Sequence, residues 1–188
     1  MTRATIKDIL NAATMLVLTR GVNGLTIDAV ARTAKLSKGG VLYHFPSKES
    51  LIEGMVAMLV KGLEEDLNRE LAKDSNAPGA FTRAFLRASL NPIDPRKDKA
   101  ASNKLGLFAA LSAGTALDPV LLKPLQDGFV EWQRKLEDDG IDPAVASVVR
   151  MAVDGLWFAE VLQLGAPRTQ LREQMLTVLL RMTNLSKP

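Results

Sequence analysis

The chain has 188 residues, enough for one large or two small domains, and its 47% hydrophobic and 24% charged residues are ordinary for a soluble globular protein. It contains no cysteine, which excludes disulfides and cysteine-ligated zinc, and one histidine, which excludes a metal site built from histidines. Residues 1–48 carry seven Lys/Arg against two acids, whereas the remainder carries 17 against 19. A basic head fits a DNA-binding end, and a chance imbalance on a solvated face fits equally well.

No segment predicts a secretory signal or a membrane span. The N-terminal residues lack a continuous apolar core, and the most apolar run, residues 105–117, is short and interrupted by Ser112, Gly114 and Thr115. We therefore expect a cytoplasmic protein that makes no contact with a membrane.

Two helices are predicted before the turn at residue 35. Apolar side chains over residues 5–20 recur at the i, i+3, i+4 and i+7 positions of one helical face, and Gly21 can end this helix in a left-handed conformation. Thr26 lies at the N-cap of the second helix, residues 27–34. Because Ala29 stands where a capping box has Glu, an N–H group at this helix start could donate to a DNA phosphate.

The segment after residue 34 predicts a tight turn and a third short helix. Lys35, Leu36 and Ser37 form the turn, and the helix over 38–44 contains two glycines, so it is too weak to be stable alone. Two short helices joined by such a turn are the helix-turn-helix arrangement, whose second helix can enter a DNA major groove. We expect Leu42 to point towards the core.

The rest of the chain predicts only helices, because no alternating apolar pattern flanked by turn signals indicates a strand. A long helix from about 47 to 71 follows Pro46 and connects the N-terminal bundle to the remaining residues. The sequence thus predicts an all-α fold of about nine helices, with an N-terminal three-helix bundle in residues 1–48 and a larger helical domain in residues 49–188. Further helical patterns cover residues 80–91, 97–114, 119–138, 143–164 and 168–185.

The last two predicted helices are apolar around most of their circumference, which indicates burial on all sides. Burial against a second copy of the chain would explain this pattern, and one large intrachain core is the alternative. The residues assigned to a dimer interface are Val149, Val153, Trp157, Leu171, Met175, Val178, Leu179 and Met182.

The string LSKGGVLYHFPSKESL closely resembles the helix-turn-helix signature of the tetracycline-repressor (TetR) family of bacterial transcription regulators. The resemblance covers about residues 5 to 55, with an amphipathic helix before the string and a long helix after it. It implies a homodimer, a palindromic double-stranded DNA operator, and a C-terminal domain that dimerises and binds a small-molecule effector. One departure is Lys35, where the family usually has glycine. A left-handed lysine there costs roughly 1 kcal/mol, and a different turn geometry is the alternative.

The resemblance also implies which residues contact DNA. Thr26, Tyr43, His44 and Lys48 match the phosphate-contacting positions, and Lys35 is a further candidate. Ser37, Lys38 and Gly39 match the base-reading end of the second helix, with Gly40 and Val41 beside them. Lys38 can donate to guanine and Val41 could touch a thymine methyl group. The alternatives are a phosphate contact or plain solvation for Lys38, core packing for Tyr43, and an ordinary helix-end histidine for His44.

An apolar effector pocket is a further expectation, and ordinary core packing is the alternative for each of its residues. Asp154 lies inside an apolar helix, so it needs a cation or backbone donor, or it orients a ligand. The pocket candidates are Phe81, Phe85, Leu107, Phe108, Leu111, Phe129, Trp132, Trp157, Phe158 and Val161.

Three functions are open at this point. The first is a dimeric DNA-binding repressor released by a small hydrophobic or amphipathic ligand. The second is a helix-turn-helix protein of the same fold that acts through protein partners without an effector. The third, a helical enzyme, needs a nucleophile–base pair or a metal cluster. It is disfavoured because the chain has no cysteine, one histidine and no compelling inward-facing pair of acids, and no cofactor is expected.

Overall fold

A computed structural model describes residues 5–74, 77–90, 107 and 119–184 of the chain. These residues contain helices and no strand, which confirms the all-α prediction, and none of their helices is long and apolar enough to cross a membrane. The α-helices are α1 (Ile6–Arg20), α2 (Ile27–Ala34), α3 (Lys38–His44), α4 (Lys48–Leu71), α5 (Ala80–Leu90), α6 (Lys123–Glu137), α7 (Pro143–Val161) and α8 (Thr169–Met182), and the 3-10 helices are Val22–Gly24 and Pro119–Leu122.

Helix boundaries agree with the sequence where local capping decides them. The Asp142 side chain accepts a hydrogen bond from the Ala144 N–H at 2.8 Å, and Pro143 occupies the first turn of α7 as predicted. The segment predicted as one helix over 119–138 instead begins with a 3-10 turn. The helix predicted over 97–114 lies outside the described residues, apart from Leu107.

The chain divides into two compact units. The first comprises residues 1–61 and 93–126, and the second comprises residues 62–92 and 127–188, so that the division falls within α4. The predicted domain boundary after residue 48 marks the end of the helix-turn-helix and stays a prediction. In the first unit, α1, α2, α3 and the first part of α4 share one apolar core, which includes Ile9, Val17, Leu25, Val30, Val41, Phe45, Leu51, Met55 and Leu107.

Gly54 allows close packing within the first unit. A Cβ atom at this position of α4 would lie 2.7 Å from the ring of Phe45 and 3.2 Å from Leu10. Phe45 directly follows α3 and is buried. The absence of a side chain at Gly54 therefore lets α4 hold the end of the short third helix against α1.

The second unit is built around the packing of α5 on α7. Buried residues of this core include Ala84, Phe85, Leu90, Trp132, Leu136, Ile141, Ala146, Val149, Val153 and Leu156. The Asp139 carboxylate, which lies between α6 and α7, accepts hydrogen bonds from the N–H groups of Phe81 and Thr82 at 2.9 and 2.7 Å. This contact caps α5 from a distant part of the chain and satisfies two backbone donors at its start.

Asp74 joins α5 to the segment that follows α4. Its carboxylate accepts from the Arg83 guanidinium at 2.8 Å and also pairs with Arg87, while Arg83 donates to the carbonyl of Pro78 at 2.9 Å. The Asp74 side chain is only 7% exposed. Hydrogen bonds from Arg83 and then Arg87 lower the pKa of Asp74 from 3.8 to about 2, against the opposing effect of burial.

We expect Asp74→Asn to lower the free energy of unfolding by about 1–3 kcal/mol at pH 7, because Arg83 loses its buried charge partner. A carboxyl group whose pKa is lowered by folding stabilises the protein at pH values above its ordinary pKa of 3.8. This contribution is lost as the pH falls towards about 2. Urea unfolding should therefore show a wild-type advantage that narrows over this range of pH.

Asp138→Asn is the matched control for this change. The Asp138 carboxylate is highly exposed and pairs with Arg134 at 3.5 Å, so its loss should cost less than about 1 kcal/mol. If Asp74→Asn costs no more than Asp138→Asn at pH 7, the Asp74 cluster contributes little to the stability of the second unit.

Candidate nucleic-acid interface

Both helices of the helix-turn-helix begin at a side-chain cap, and a left-handed residue ends the first of them. The Thr26 hydroxyl accepts from the Ala29 N–H at 3.1 Å, and the Ser37 hydroxyl accepts from the Gly40 N–H at 3.0 Å. Lys35 ends α2 with φ 56° and ψ 43°, the left-handed conformation that its non-glycine side chain makes costly. The two predicted caps are thus present, and the connection between the helices passes through a left-handed lysine.

Seven of the predicted DNA contacts are solvent-exposed. We call this set the reading surface and define it as Thr26, Lys35, Ser37, Lys38, Gly39, Tyr43 and His44, all of which are exposed. Tyr43 is 83% exposed, although it is a large aromatic residue, and its ring meets His44 edge-on at a centroid distance of 5.0 Å. Core packing is thereby excluded for Tyr43 within the first unit.

Two orientations on α3 differ from the sequence prediction. Val41 was expected to be available to a thymine methyl group, but it is fully buried among the apolar residues of the first unit. Leu42 was expected to point inwards, but it is exposed. The reason is that Val41 and Phe45 lie four residues apart on one helical face, so the single anchoring stripe of α3 passes through Val41 and leaves Leu42 beside it.

Gly40 and Lys48 are only partly exposed. The N–H of Gly40 is already used by the Ser37 cap. The Lys48 ammonium donates to the carbonyl of Val22 at 2.9 Å, which ties the start of α4 to the 3-10 turn after α1. Lys48 therefore has a structural contact that the sequence did not predict, and an ammonium has three donors, so this contact is compatible with a phosphate role.

Asp28, which pairs with Lys38 of the reading surface, is a residue that the sequence analysis did not single out. Its carboxylate lies 3.1 Å from the Lys38 ammonium, and both side chains are more than half exposed. Asp28 is in the first turn of α2 and Lys38 is the first residue of α3. The ten-residue separation carries no periodic signal, so only the turn geometry reveals the pair.

The predicted pocket residues fall into different parts of the chain. In the second unit, the buried rings of Phe85 and Trp132 lie 6.3 Å apart, Phe129 lies 5.0 Å from Trp132, and the Arg150 guanidinium stands 5.3 Å over the Phe129 ring. These rings form one aromatic cluster.

Several other pocket candidates lie in the first unit or have no described side chain. Leu107 is buried in the core of the first unit. Phe108, Leu111 and the side chain of Val161 lie outside what the structure describes. Trp157 and Phe158, successive residues of α7, have ring centroids 6.1 Å apart. An effector pocket formed by the full set stays a prediction.

A different concavity opens where α7 meets α8 in sequence. This cleft has a volume of about 370 Å³, and Glu160 and Arg172 pair across its lining at 2.5 Å. Arg172 also donates to the carbonyl of Leu90 at 2.9 Å. The cleft contains none of the predicted pocket residues, and its charged pair is already satisfied within the second unit.

Asp154 has a cation partner within its own helix. Arg150, one turn earlier in α7, donates to the Asp154 carboxylate at 3.2 Å and also contacts the side-chain oxygen of Gln133. Burial raises the pKa of Asp154, and the neighbouring Arg150 acts in the opposite direction. A carboxylate in an otherwise apolar helix is thus explained by a local ion pair, and a second copy of the chain is not needed to satisfy it.

Three residues assigned to the dimer interface belong instead to the core of the second unit. Val149 and Val153 are completely buried and Leu179 is nearly so. The correction has a geometric reason: α7 buries Ala146, Val149 and Val153 at helical spacing against its own unit, so a helix that looks apolar all round has a distinct inner face.

The outer faces of α7 and α8 nevertheless remain apolar and exposed. Val148, Met151 and Phe158 are 53%, 55% and 46% exposed, and they follow the i+3 and i+4 spacing of one stripe along α7. Among the α8 candidates, Leu171 and Val178 are also exposed. Trp157, Met175 and Met182 are half-buried.

The fold and the reading surface define a helix-turn-helix protein of the DNA-binding type. A family model described as "Bacterial regulatory proteins, tetR family" matches residues 9–55, and one described as "Tetracyclin repressor-like, C-terminal domain" matches residues 79–184. The chain therefore belongs to the TetR family of bacterial transcription regulators, as its signature string predicted. No group of three or more potential metal-binding side chains occurs within the described ranges.

The chain is also similar to individual proteins, over part of one sequence and over the fold of several solved structures. The HTH-type transcriptional regulator BetI of Burkholderia thailandensis is 32% identical over 71 residues, which cover 38% of this chain and only 36% of that relative. A transcriptional regulator from Rhodococcus sp. Rha1 has a TM-score of 0.73 at 21% identity, and the match covers 96% of each chain. The multidrug binding protein EbrR complexed with ethidium has a TM-score of 0.66 at 22% identity, with 94% of this chain and 96% of that chain covered. At such identities the structural matches establish the fold.

Proposed function

We propose that this TetR-family regulator is a homodimeric, cytoplasmic repressor that binds a palindromic operator and is released by a small hydrophobic or amphipathic ligand. The observation that carries the proposal is the exposure of α3, a short glycine-bearing helix that the first unit anchors through Val41 and otherwise leaves to solvent. A helix that cannot be stable alone and is anchored along one stripe suits insertion into a groove.

The residues of the reading surface divide into those that would position the protein on the duplex and those that would read its bases. Tyr43, His44 and Thr26 offer donors that would contact phosphates and fix the register of the protein on the duplex. Lys38 would donate to a guanine edge at the start of α3, where Gly39 lets the backbone come close. Because α3 has few long side chains, we infer that the shape of the DNA contributes to specificity as well.

The exposed apolar stripe of α7 supports the homodimer. A stripe through Val148, Met151 and Phe158, continued by exposed residues of α8, would be buried by the same stripe of a second copy about a twofold axis. Two copies would present two reading surfaces, and a twofold dimer matches an operator with two equivalent half-sites.

The aromatic cluster of the second unit supports an apolar effector. Phe85, Phe129 and Trp132 offer ring surface, and Arg150 adds a cationic group that could orient an amphipathic ligand. Such a ligand can release DNA only if it binds the DNA-free state more tightly than the DNA-bound state.

Selection of bound duplexes from a random pool tests the proposed function. Full-length protein should enrich a palindrome whose half-sites are spaced by about one helical turn or a multiple of it. Sedimentation should show two protomers on each enriched duplex. Failure to enrich any duplex at low salt would overturn the proposal, and enrichment of an asymmetric site bound by one protomer would overturn its dimeric part.

We expect Tyr43→Ala to weaken binding to the enriched palindrome and to a scrambled duplex by a similar factor of about 3–10, because a phosphate contact carries no sequence information. The high exposure of Tyr43 means that folding should be unaffected. Fluorescence anisotropy titrations on both duplexes measure the effect.

Met15→Ala is a control for the loss of an exposed apolar side chain in the same unit, since Met15 is 57% exposed on α1. Lys48→Ala should also weaken binding to both duplexes, but it loses the bond to Val22 and so needs a parallel stability measurement. Unchanged affinity in Tyr43→Ala would show that α3 does not dock as proposed.

A further inference from the structure

Asp28 is an acid on a surface proposed to meet a polyanion. Its carboxylate lies 3.1 Å from the Lys38 ammonium, and the two side chains are 54% and 59% exposed. Residues 1–48 contain only one other acid, Asp8, whose carboxylate accepts from the Thr5 N–H at 2.8 Å and forms the capping box of α1. Asp28 has no such capping task, because Thr26 already caps α2.

Stability gives a poor account of the pair between Asp28 and Lys38. Exposed ion pairs contribute little to folding, since solvent screens the charges and both side chains lose freedom. Lys38 also stands at the positive end of α3, where a cation is disfavoured by the helix dipole. The same effect favours Asp28 in the first turn of α2, so folding accounts for the acid but not for the lysine at the start of α3.

The pair matches the major-groove edge of one base pair. It presents a donor group and an acceptor group 3.1 Å apart. In a G·C pair, guanine O6 accepts from the N4 amine of cytosine, so these two atoms are separated by an ordinary hydrogen-bond distance of about 2.7–3.2 Å. An ammonium facing O6 and a carboxylate facing the N4 amine would complement both atoms at once.

The other base pairs fit this arrangement less well. Guanine adds the N7 acceptor beside O6, which favours the ammonium, whereas thymine places its methyl group beside O4. In the reversed pair, C·G, the carboxylate would face the acceptors O6 and N7 and be repelled. The carboxylate also disfavours docking of Lys38 on a phosphate, because it would approach the backbone with it.

We propose that Asp28 is a specificity-determining residue, which together with Lys38 reads one G·C pair in each half-site, with guanine facing Lys38 and cytosine facing Asp28. This inference rests on the proposed DNA-binding function and assigns a chemical role to a residue outside the family signature string. Asp28 contributes by accepting from cytosine and by rejecting the alternatives, so its removal should relax discrimination while strengthening non-specific binding.

The test uses full-length protein and the palindrome enriched by the wild type, with every position of the half-site replaced in turn by the other three base pairs. Wild type should show one position where G·C is preferred by about 10-fold or more over each alternative. Asp28→Ala should reduce that preference to about 2-fold or less. It should also bind a scrambled duplex several-fold more tightly, with a salt dependence steeper by about one counterion.

Glu64→Ala is the matched control, since it removes one exposed acid from a helix of the second unit. It should leave the base preference and the salt dependence unchanged. Thermal melting of each variant checks that it folds, and the exposure of Asp28 makes a folding defect unexpected.

A charge exchange, Asp28→Lys combined with Lys38→Asp, separates reading from a tie between α2 and α3. It re-forms the ion pair with the two charges exchanged, so a structural tie would be restored together with the wild-type preference. The reading role instead requires that the G·C preference stays lost or changes to C·G.

Two results would overturn the inference while leaving the proposed function intact. One is a wild-type palindrome without such a G·C position, and the other is retention of the preference in Asp28→Ala or its restoration by the exchange. If the wild type enriches no duplex at all, the proposed DNA-binding function is wrong, and this inference is wrong with it.

Discussion

Phe158→Glu is expected to convert the protein into a monomer and to weaken binding to the enriched palindrome by about 100-fold or more. Phe158 lies half-exposed on the apolar stripe of α7, and Met151 lies on the same stripe about two helical turns earlier. In a twofold interface the substitution would bury two carboxylates near each other without partners, which costs several kcal/mol. A monomer also loses the effective concentration by which one bound half-site recruits the second protomer.

Sedimentation velocity and anisotropy titrations on duplexes with two half-sites and with one half-site measure this effect. Binding to the single half-site should be nearly unchanged, because the reading surface lies in the first unit and Phe158 lies in the second. Met151→Glu should behave in the same way, which guards against a local defect at one position. Val130→Glu, at a 70% exposed valine of α6, should remain dimeric and bind normally.

A dimer that persists in both Phe158→Glu and Met151→Glu would show that the stripe of α7 is not the interface. The exposed residues of α8, Leu171 and Val178, would then be the candidates for the dimer interface. Val149 and Val153 are unsuitable positions for this test. Both are buried in their own unit, so a change of either to Glu would cause the protein to misfold.

Local chemistry explains what the sequence could predict. Thr26, Ser37 and Asp142 cap helices through hydrogen bonds to residues two or three positions away, so a short window of sequence contains the whole interaction. The same local reasoning places the end of α2 before Ser37, but it left two turn geometries open, and the structure has the left-handed Lys35. The helix bounds and the caps of the helix-turn-helix were therefore predictable from the sequence, whereas the orientations of Val41 and Leu42 were not.

Features that depend on distant residues could not be read in this way. The cap of α5 links Asp139 to Phe81 and Thr82, which precede it in the chain by 58 and 57 positions. The pair between Asp28 and Lys38 exists only because the turn brings two helix starts together. Val41 and Leu42 are adjacent and both apolar, so the rotation of a seven-residue helix against its core decides which of them is buried. The same ambiguity affects α7, where apolar residues on both faces do not tell an inner surface from an outer one.

Gly39→Ala is expected to stabilise the free protein while weakening DNA binding by about 10-fold or more. A Cβ atom at Gly39 would meet nothing within 4 Å in the protein itself, so the packing of the first unit does not require glycine there. Alanine in place of a helical glycine should raise the free energy of unfolding by about 0.5–1 kcal/mol. Glycine at the second residue of α3 therefore destabilises the free protein, and no close packing contact within the described structure explains its presence.

The proposed docking explains this cost, because the start of α3 would approach the base edges closely enough that a methyl group occupies the space of a direct contact. Differential scanning calorimetry and anisotropy titrations on the enriched palindrome measure the two effects. Asn68→Ala, an exposed change to alanine in α4 within the second unit, should also stabilise its helix but leave DNA affinity unchanged.

Opposite signs for stability and affinity in Gly39→Ala cannot arise from misfolding, which would lower both. A variant that is more stable and binds DNA as well as the wild type would mean that the backbone of α3 stays away from the bases. In that case the side chains of Lys38 and Tyr43 would have to reach the duplex alone, and the glycines of α3 would need another explanation.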